Sequence, residues 1–177
     1  MGMIQFRCTA KVQKALGLKP NELVEPESSG SLLGNWYINL FTVDRRKTFI
    51  FVNEKTLLSF VLFGVKKSNI KKTPEIFLRG LDQLLTLEGF ELDKINRVFS
   101  GYDSYEFTKT TSRSLIGNMN DLMDLYKHSI LYEGGLEYVE LGELIREINR
   151  TPQRRLGWSN SIELVRELVD EQKPNIP

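Results

Sequence analysis

Residues 36–63, WYINLFTVDRRKTFIFVNEKTLLSFVLF, decide how this chain folds. Two runs rich in aromatic and β-branched residues, Trp36 to Val43 and Thr48 to Asn53, flank the polar tetrad Asp44-Arg45-Arg46-Lys47 and read as a hairpin. Leu57 to Phe63 continues as a third strand or as the apolar start of a helix. Strands joined in sequence by short turns make an antiparallel β-meander the simplest arrangement. Apolar residues occupy both faces of the first strand, Trp36, Ile38 and Leu40 opposite Tyr37, Phe41 and Val43, so the sheet must be covered on both sides. Helices have to supply the cover.

Outward from this stretch, the elements are punctuated by caps and glycines. Residues 3–8, MIQFRC, alternate as a strand with Ile4, Phe6 and Cys8 on one face and Met3, Gln5 and Arg7 on the other. Thr9 stands where it can cap a short helix carrying Val12, Ala15 and Leu16, which Gly17 stops. Residues 19–34, with two Pro, two Gly and three Ser, read as a surface loop. Beyond the meander, Thr73-Pro74 opens a helix bearing Ile76, Phe77, Leu81, Leu84 and Leu85, closed by Gly89. A shorter helix around Leu92, Ile95, Val98 and Phe99 and a strand at Tyr102 to Thr108 follow. Ser112 then opens a second long helix with the stripe Leu115, Ile116, Met119, Leu122, Met123, Tyr126 and Ile130, ending at Gly134-Gly135. Two C-terminal helices, Leu141 to Asn149 and Ser161 to Val169, are joined by RTPQRRLGWSN, and residues 171–177 are expected to fray. The expected fold is α+β: an antiparallel β-meander sheet covered by two long helices and a C-terminal helical pair, in one domain over 1–177.

Bulk composition removes several classes of function. Lys and Arg number 24 against 23 Asp and Glu, a net charge of +1, so no overall field draws the molecule to nucleic acid or an anionic membrane, and such binding needs a local patch. One cysteine, Cys8, and one histidine, His128, exclude an internal disulfide and a Cys/His zinc site. No run approaches the roughly 18 apolar residues of a membrane span, and the N-terminus lacks a signal-peptide layout. A cytoplasmic protein with no membrane association and no disulfide-linked partner is expected. Met3 reads as the natural start, with Met1-Gly2 appended.

Signatures of catalysis are mostly lacking: there is no glycine-rich phosphate loop, GxSxG, HExxH or CxxC. Asp121, Asp124 and His128 share one side of the second long helix, an arrangement open to a metal or to a plain exposed Asp–His pair; no metal or cofactor is expected. Cys8 falls on the buried strand face and reads as core. Arg7, on the other face, needs solvent or an anionic partner. Arg45-Arg46-Lys47 at the hairpin tip and Lys66, Lys67, Lys71 and Lys72 are either phosphate-neutralising or solvated turns. Arg150, Arg154 and Arg155 surround Pro152 in a loop that Leu156 and Trp158 are placed to anchor, leaving the arginines for a partner surface. In TSRSLIGNMND, free first-turn amides beside Arg113 and Ser114, with Gly117 permitting close approach, can hold an anion; capping by Ser112 and helix packing account for the same residues equally.

Four ordered segments carry a resemblance. IQFRCTAKVQKALGL, LGNWYINLFTVDRRKTFIFVNEKTLLSFV, TTSRSLIGNMNDL and NRTPQRRLGW together resemble the bacterial domain of unknown function family numbered 6933. The resemblance implies positions rather than an activity: Arg7, Cys8 and Thr9; Trp36, Asn53, Glu54 and Thr56; Arg113, Ser114, Gly117, Asn118 and Asn120. Several are polar with no core role, which points to a shared pocket. The expectation is a binding module with a polar pocket between Arg7 and the helix start at Arg113, taking an anionic ligand or protein partner, with Arg7, Arg45 and Arg113 on phosphate. The competing reading is an enzyme on a phosphate-bearing substrate or nucleic acid, with Glu54 as base and Arg113 as clamp.

Overall fold

The structure, a computed structural model, describes residues 2–64 and 72–171. Lys66, Lys67 and Lys71 of the basic segment and the tail 172–177 lie outside the described residues.

Among the described residues, six strands form a single mixed sheet. β1 (Met3–Cys8) is followed by α1 (Ala10–Leu16) and the two-residue β2 (Leu23–Val24). Then come β3 (Trp36–Val43), β4 (Arg46–Asn53) and β5 (Ser59–Phe63). α2 (Thr73–Leu87) and α3 (Leu92–Phe99) lead to β6 (Ser104–Lys109), and α4 (Arg113–Tyr132), α5 (Leu141–Asn149) and α6 (Ser161–Glu171) complete the chain. The strand order is β2-β6-β1-β3-β4-β5.

The meander expectation holds for half of this sheet and fails for the rest. β3, β4 and β5 pair antiparallel as read. β1, however, runs parallel to both β3 and β6, and β2 runs parallel to β6. The physical reason is connection length. Parallel neighbours need a long crossover, which residues 9–35 with α1 provide between β1 and β3 and the α2–α3 segment provides on the way to β6, whereas the short turns after β3 and β4 favour antiparallel pairing. At the β3–β4 turn, Asp44 (φ 50°) and Arg45 (φ 62°) both adopt the left-handed conformation, the mirror-image turn that matches sheet twist. The polar tetrad is therefore a two-residue turn, with Arg46 and Lys47 already in β4.

Both faces are covered, but not by one helical layer apiece as grouped in sequence. Ile4, Phe6, Cys8, Trp36, Ile38, Phe51 and Phe60 pack with α1, α2, α3 and α6. Tyr37, Val43, Ile50, Val52 and Val61 pack with α4 and α5 on the other face. The two long helices lie on opposite faces, and the expected C-terminal pair is split across the sheet, because Leu144 and Ile148 face one core and Ile162, Val165 and Val169 the other. Close approach of α2 to β5 depends on Gly80, where a Cβ would stand 2.6 Å from the Phe60 ring. No described helix is long and apolar enough to cross a membrane.

α4 runs beside β3 from its start to the hairpin tip. The Tyr37 hydroxyl meets Thr111 and Ser112 at one end, and the Asp44 carboxylate accepts from the Leu136 amide at the other. Twenty residues of helix span roughly 30 Å. This length sets the separation between the two ends of α4.

Candidate functional site

Strand alternation puts Gln5 and Arg7 on the α4 side of β1, in register with Asn35 and Tyr37 of the β3 strand and the residue before it. The segment after β2 crosses this side, and its backbone polar groups need partners there. Gln5 supplies two of them: its Nε2 donates to the Glu25 carbonyl at 3.1 Å and its Oε1 accepts from the Glu27 amide at 2.8 Å. Arg7 Nη2 and Asn35 Nδ2 both donate to the Glu27 carbonyl, at 3.0 and 2.8 Å. The second half of the expected 19–34 surface loop is thus built into the molecule, with Ser31, Leu33 and Gly34 buried.

Arg7 is 5% exposed, and its Nε donates to Glu54 Oε2 at 3.3 Å. The other Glu54 oxygen accepts from the Asn35 amide at 3.2 Å. Next to it, fully buried Asn53 donates to the Leu33 and Asn35 carbonyls and accepts from the amides of Lys55 and Thr56 and from the Thr56 hydroxyl. That geometry builds the β4–β5 turn, in which Leu57 takes φ 57°. Thr9 begins α1 without a side-chain cap and gives its hydroxyl to Asn39 Oδ1 at 2.9 Å. Arg7, Asn53 and Glu54 are brought together as expected, and every one of them is engaged by the protein itself. No described buried side-chain N or O atom is left without a partner. Cys8, on the opposite face, is fully buried, and burial pushes its thiol up to about 12.

The start of α4 differs in every respect. Ser112 caps it, accepting from the Leu115 amide at 3.1 Å, and the Ser112 carbonyl takes the Ile116 amide. The amides of Arg113 and Ser114 have no acceptor within the helix. Arg113, Ser114 and Asn120 are exposed, and Asn118 donates back to the Ser114 carbonyl. Arg155, from a 3-10 turn at Arg154–Leu156, donates to Ser114 Oγ across 41 residues of sequence. That turn belongs to a loop closed on itself by Gln153 N to the Ser159 carbonyl and Trp158 N to the Gln153 carbonyl, 2.9 Å each. Among the described residues, no carboxylate lies within ion-pair distance of Arg113, Arg154 or Arg155. A Cβ at Gly117 would meet nothing within 4 Å, so helix packing is not what this glycine serves.

Other candidates fall elsewhere. Arg45 sits at the hairpin tip, the far end of β4 from Glu54, roughly 30 Å along a strand rising about 3.3 Å per residue. Arg150 is paired within the molecule while its side chain stays 48% exposed: its Nη2 donates at 2.9 Å to Glu88, whose side chain is 1% exposed and also accepts from Arg146 at 3.1 Å. Arg166 donates to the Glu88 carbonyl and stacks on Phe90, so this acid ties α2 to α5 and α6. Of the two presumed loop anchors, Leu156 packs on the core, whereas Trp158 is 68% exposed with φ 67°. His128 Nδ1 contacts the Asp124 backbone carbonyl, and among the described residues no three His, Cys, Asp or Glu side chains gather as metal ligands.

Sequence reasoning passed over Gln5, Asn35 and Glu88. Gln5 shares a strand face with Arg7 by the two-residue period and was recoverable on that ground. Glu88, beside the helix-ending Gly89, carries no local mark that separates it from a surface acid.

Fold and site together define an α+β protein with an internally satisfied polar seam and a cationic helix start. Residues 5–164, from β1 into α6, match the family described as Domain of unknown function (DUF6933), and the chain belongs to it. Among curated proteins, none matches the chain.

Proposed function

We propose that the protein is a non-enzymatic binding module that takes an anionic, phosphate-bearing ligand at the start of α4. The observation that carries this reading is the meeting of Arg155 with Ser114. It gathers cations from two remote segments around helix amides that have no acceptor of their own, and oriented amides with unpaired arginines suit phosphate oxygens. Trp158, exposed on the same loop, offers a face on which a base can stack. Glu54 supports binding over catalysis, because both its oxygens are engaged by Arg7 and Asn35. A base tied in this way is poorly placed to collect a substrate proton.

Titration of a fluorescein-labelled single-stranded oligonucleotide, with inorganic phosphate as competitor, tests the reading. Arg113→Ala and Arg155→Ala are each expected to weaken binding about fivefold or more and to flatten its salt dependence. Affinity unchanged in both variants, or no binding by the wild-type chain, overturns it.

A further inference from the structure

The opposite end of α4 carries a second surface of contrary character. Between the last turns of α4, the loop 133–140 and the outer side of α5 lies an open groove of about 810 Å³. Tyr132 and Tyr138 at its mouth are 90% and 70% exposed, and Leu131 beside them is 51% exposed. Glu133, Glu140, Glu143 and Glu147 line it with no lysine or arginine among the lining residues. Glu143 is met by Arg146, while among the described residues Glu133, Glu140 and Glu147 have no cationic partner.

The groove is held in shape. The Leu136 amide donates to Asp44 of the hairpin tip at 3.0 Å, the Tyr138 amide donates to the Gly135 carbonyl at 3.1 Å, and the Tyr138 ring lies over Gly134, 3.2 Å from where a Cβ would stand. Exposed aromatic rings fixed beside an apolar patch mark an interaction site more often than an isolated surface. Carboxylates interleaved with aromatic faces fit one cation best. A planar guanidinium stacks on tyrosine while its fork of N–H donors meets a carboxylate, and an ammonium matches only the charge.

We propose that this groove docks an arginine-rich segment of a partner protein. The proposal is independent of the anion-binding reading, since roughly 30 Å of helix separates the two surfaces. It commits to a cationic peptide because the lining is acidic, and to arginine because the tyrosines are presented.

Fluorescence anisotropy with a labelled oligo-arginine peptide, against oligo-lysine of equal length, is the experiment. Oligo-arginine should bind more tightly than oligo-lysine. Tyr132→Ala and Tyr138→Ala should each weaken oligo-arginine about twofold to fivefold, the range expected for an exposed cation–π contact, and Glu140→Gln together with Glu147→Gln should weaken both peptides. Arg155→Ala should leave both affinities unchanged. Circular dichroism verifies that the exposed tyrosine variants remain folded. Equal binding of the two peptides, wild-type affinity in the tyrosine variants, or a concentration-dependent dimer that Tyr138→Ala abolishes would overturn the proposal, the last by showing a second copy of this chain as the occupant.

Discussion

Arg7 and Arg113 are the same residue type, belong to the same set of implied site positions, and flank Tyr37, which stands in register with Arg7 and reaches Ser112 with its hydroxyl. Arg7 is buried, paired with Glu54 and hydrogen-bonded to Gln5 and the Glu27 carbonyl. Arg113 is exposed, with no carboxylate in reach among the described residues. Tyr37 itself is 2% exposed, with its hydroxyl on Thr111 and the Ser112 amide. A motif residue's role is decided by how many of its polar groups the protein already satisfies. Arg7 holds the crossing chain in place, and the Arg113 side chain is left exposed to solvent.

Glu54→Gln breaks this contrast most severely. It leaves a guanidinium that is 7% exposed without its counter-charge, and a destabilisation on the order of 2–3 kcal/mol is expected from urea denaturation. A loss below about 0.5 kcal/mol would mean that the seam is not structural. Gly117→Ala sharpens the contrast from the other side. Its Cβ meets open space, so alanine should raise stability by about 0.5–1 kcal/mol. The same substitution should weaken oligonucleotide binding if the ligand approaches the helix backbone there. Smallest of all, Arg113→Ala should leave the denaturation midpoint where it stands while lowering oligonucleotide affinity, the reverse of Glu54→Gln.

Much of the fold was legible because local signals dominate it. The alternation of MIQFRC, the Ser112 cap, the stripe Leu115 to Ile130 and the bounds of α5 all follow from period and capping, and all recur in the structure. Strand neighbours outside the β3–β4–β5 meander were not legible. Nothing in the alternation of β1 states that it lies parallel between β3 and β6, since pairing partners across some 30 and 100 residues leave no mark on either segment. The site was half legible for the same reason. Arg7, Asn53 and Glu54 were read as members of one polar set, yet their engagement depends on Gln5 of the same strand as Arg7 and on Asn35 and the Glu27 carbonyl, which a long crossover brings in. Arg150 read as a free surface cation because its partner, Glu88, is 62 residues away. Trp158 read as an anchor because large apolar residues usually are buried, and here a left-handed turn holds it outward.

Amide chemical-shift mapping during titration with a single-stranded oligonucleotide tests the division between seam and surface most directly. The division predicts shifts concentrated at Arg113, Ser114, Arg155 and Trp158, with Arg7, Thr9, Asn53 and Glu54 unmoved. Shifts centred on Arg7 and Glu54, with the start of α4 silent, would contradict it.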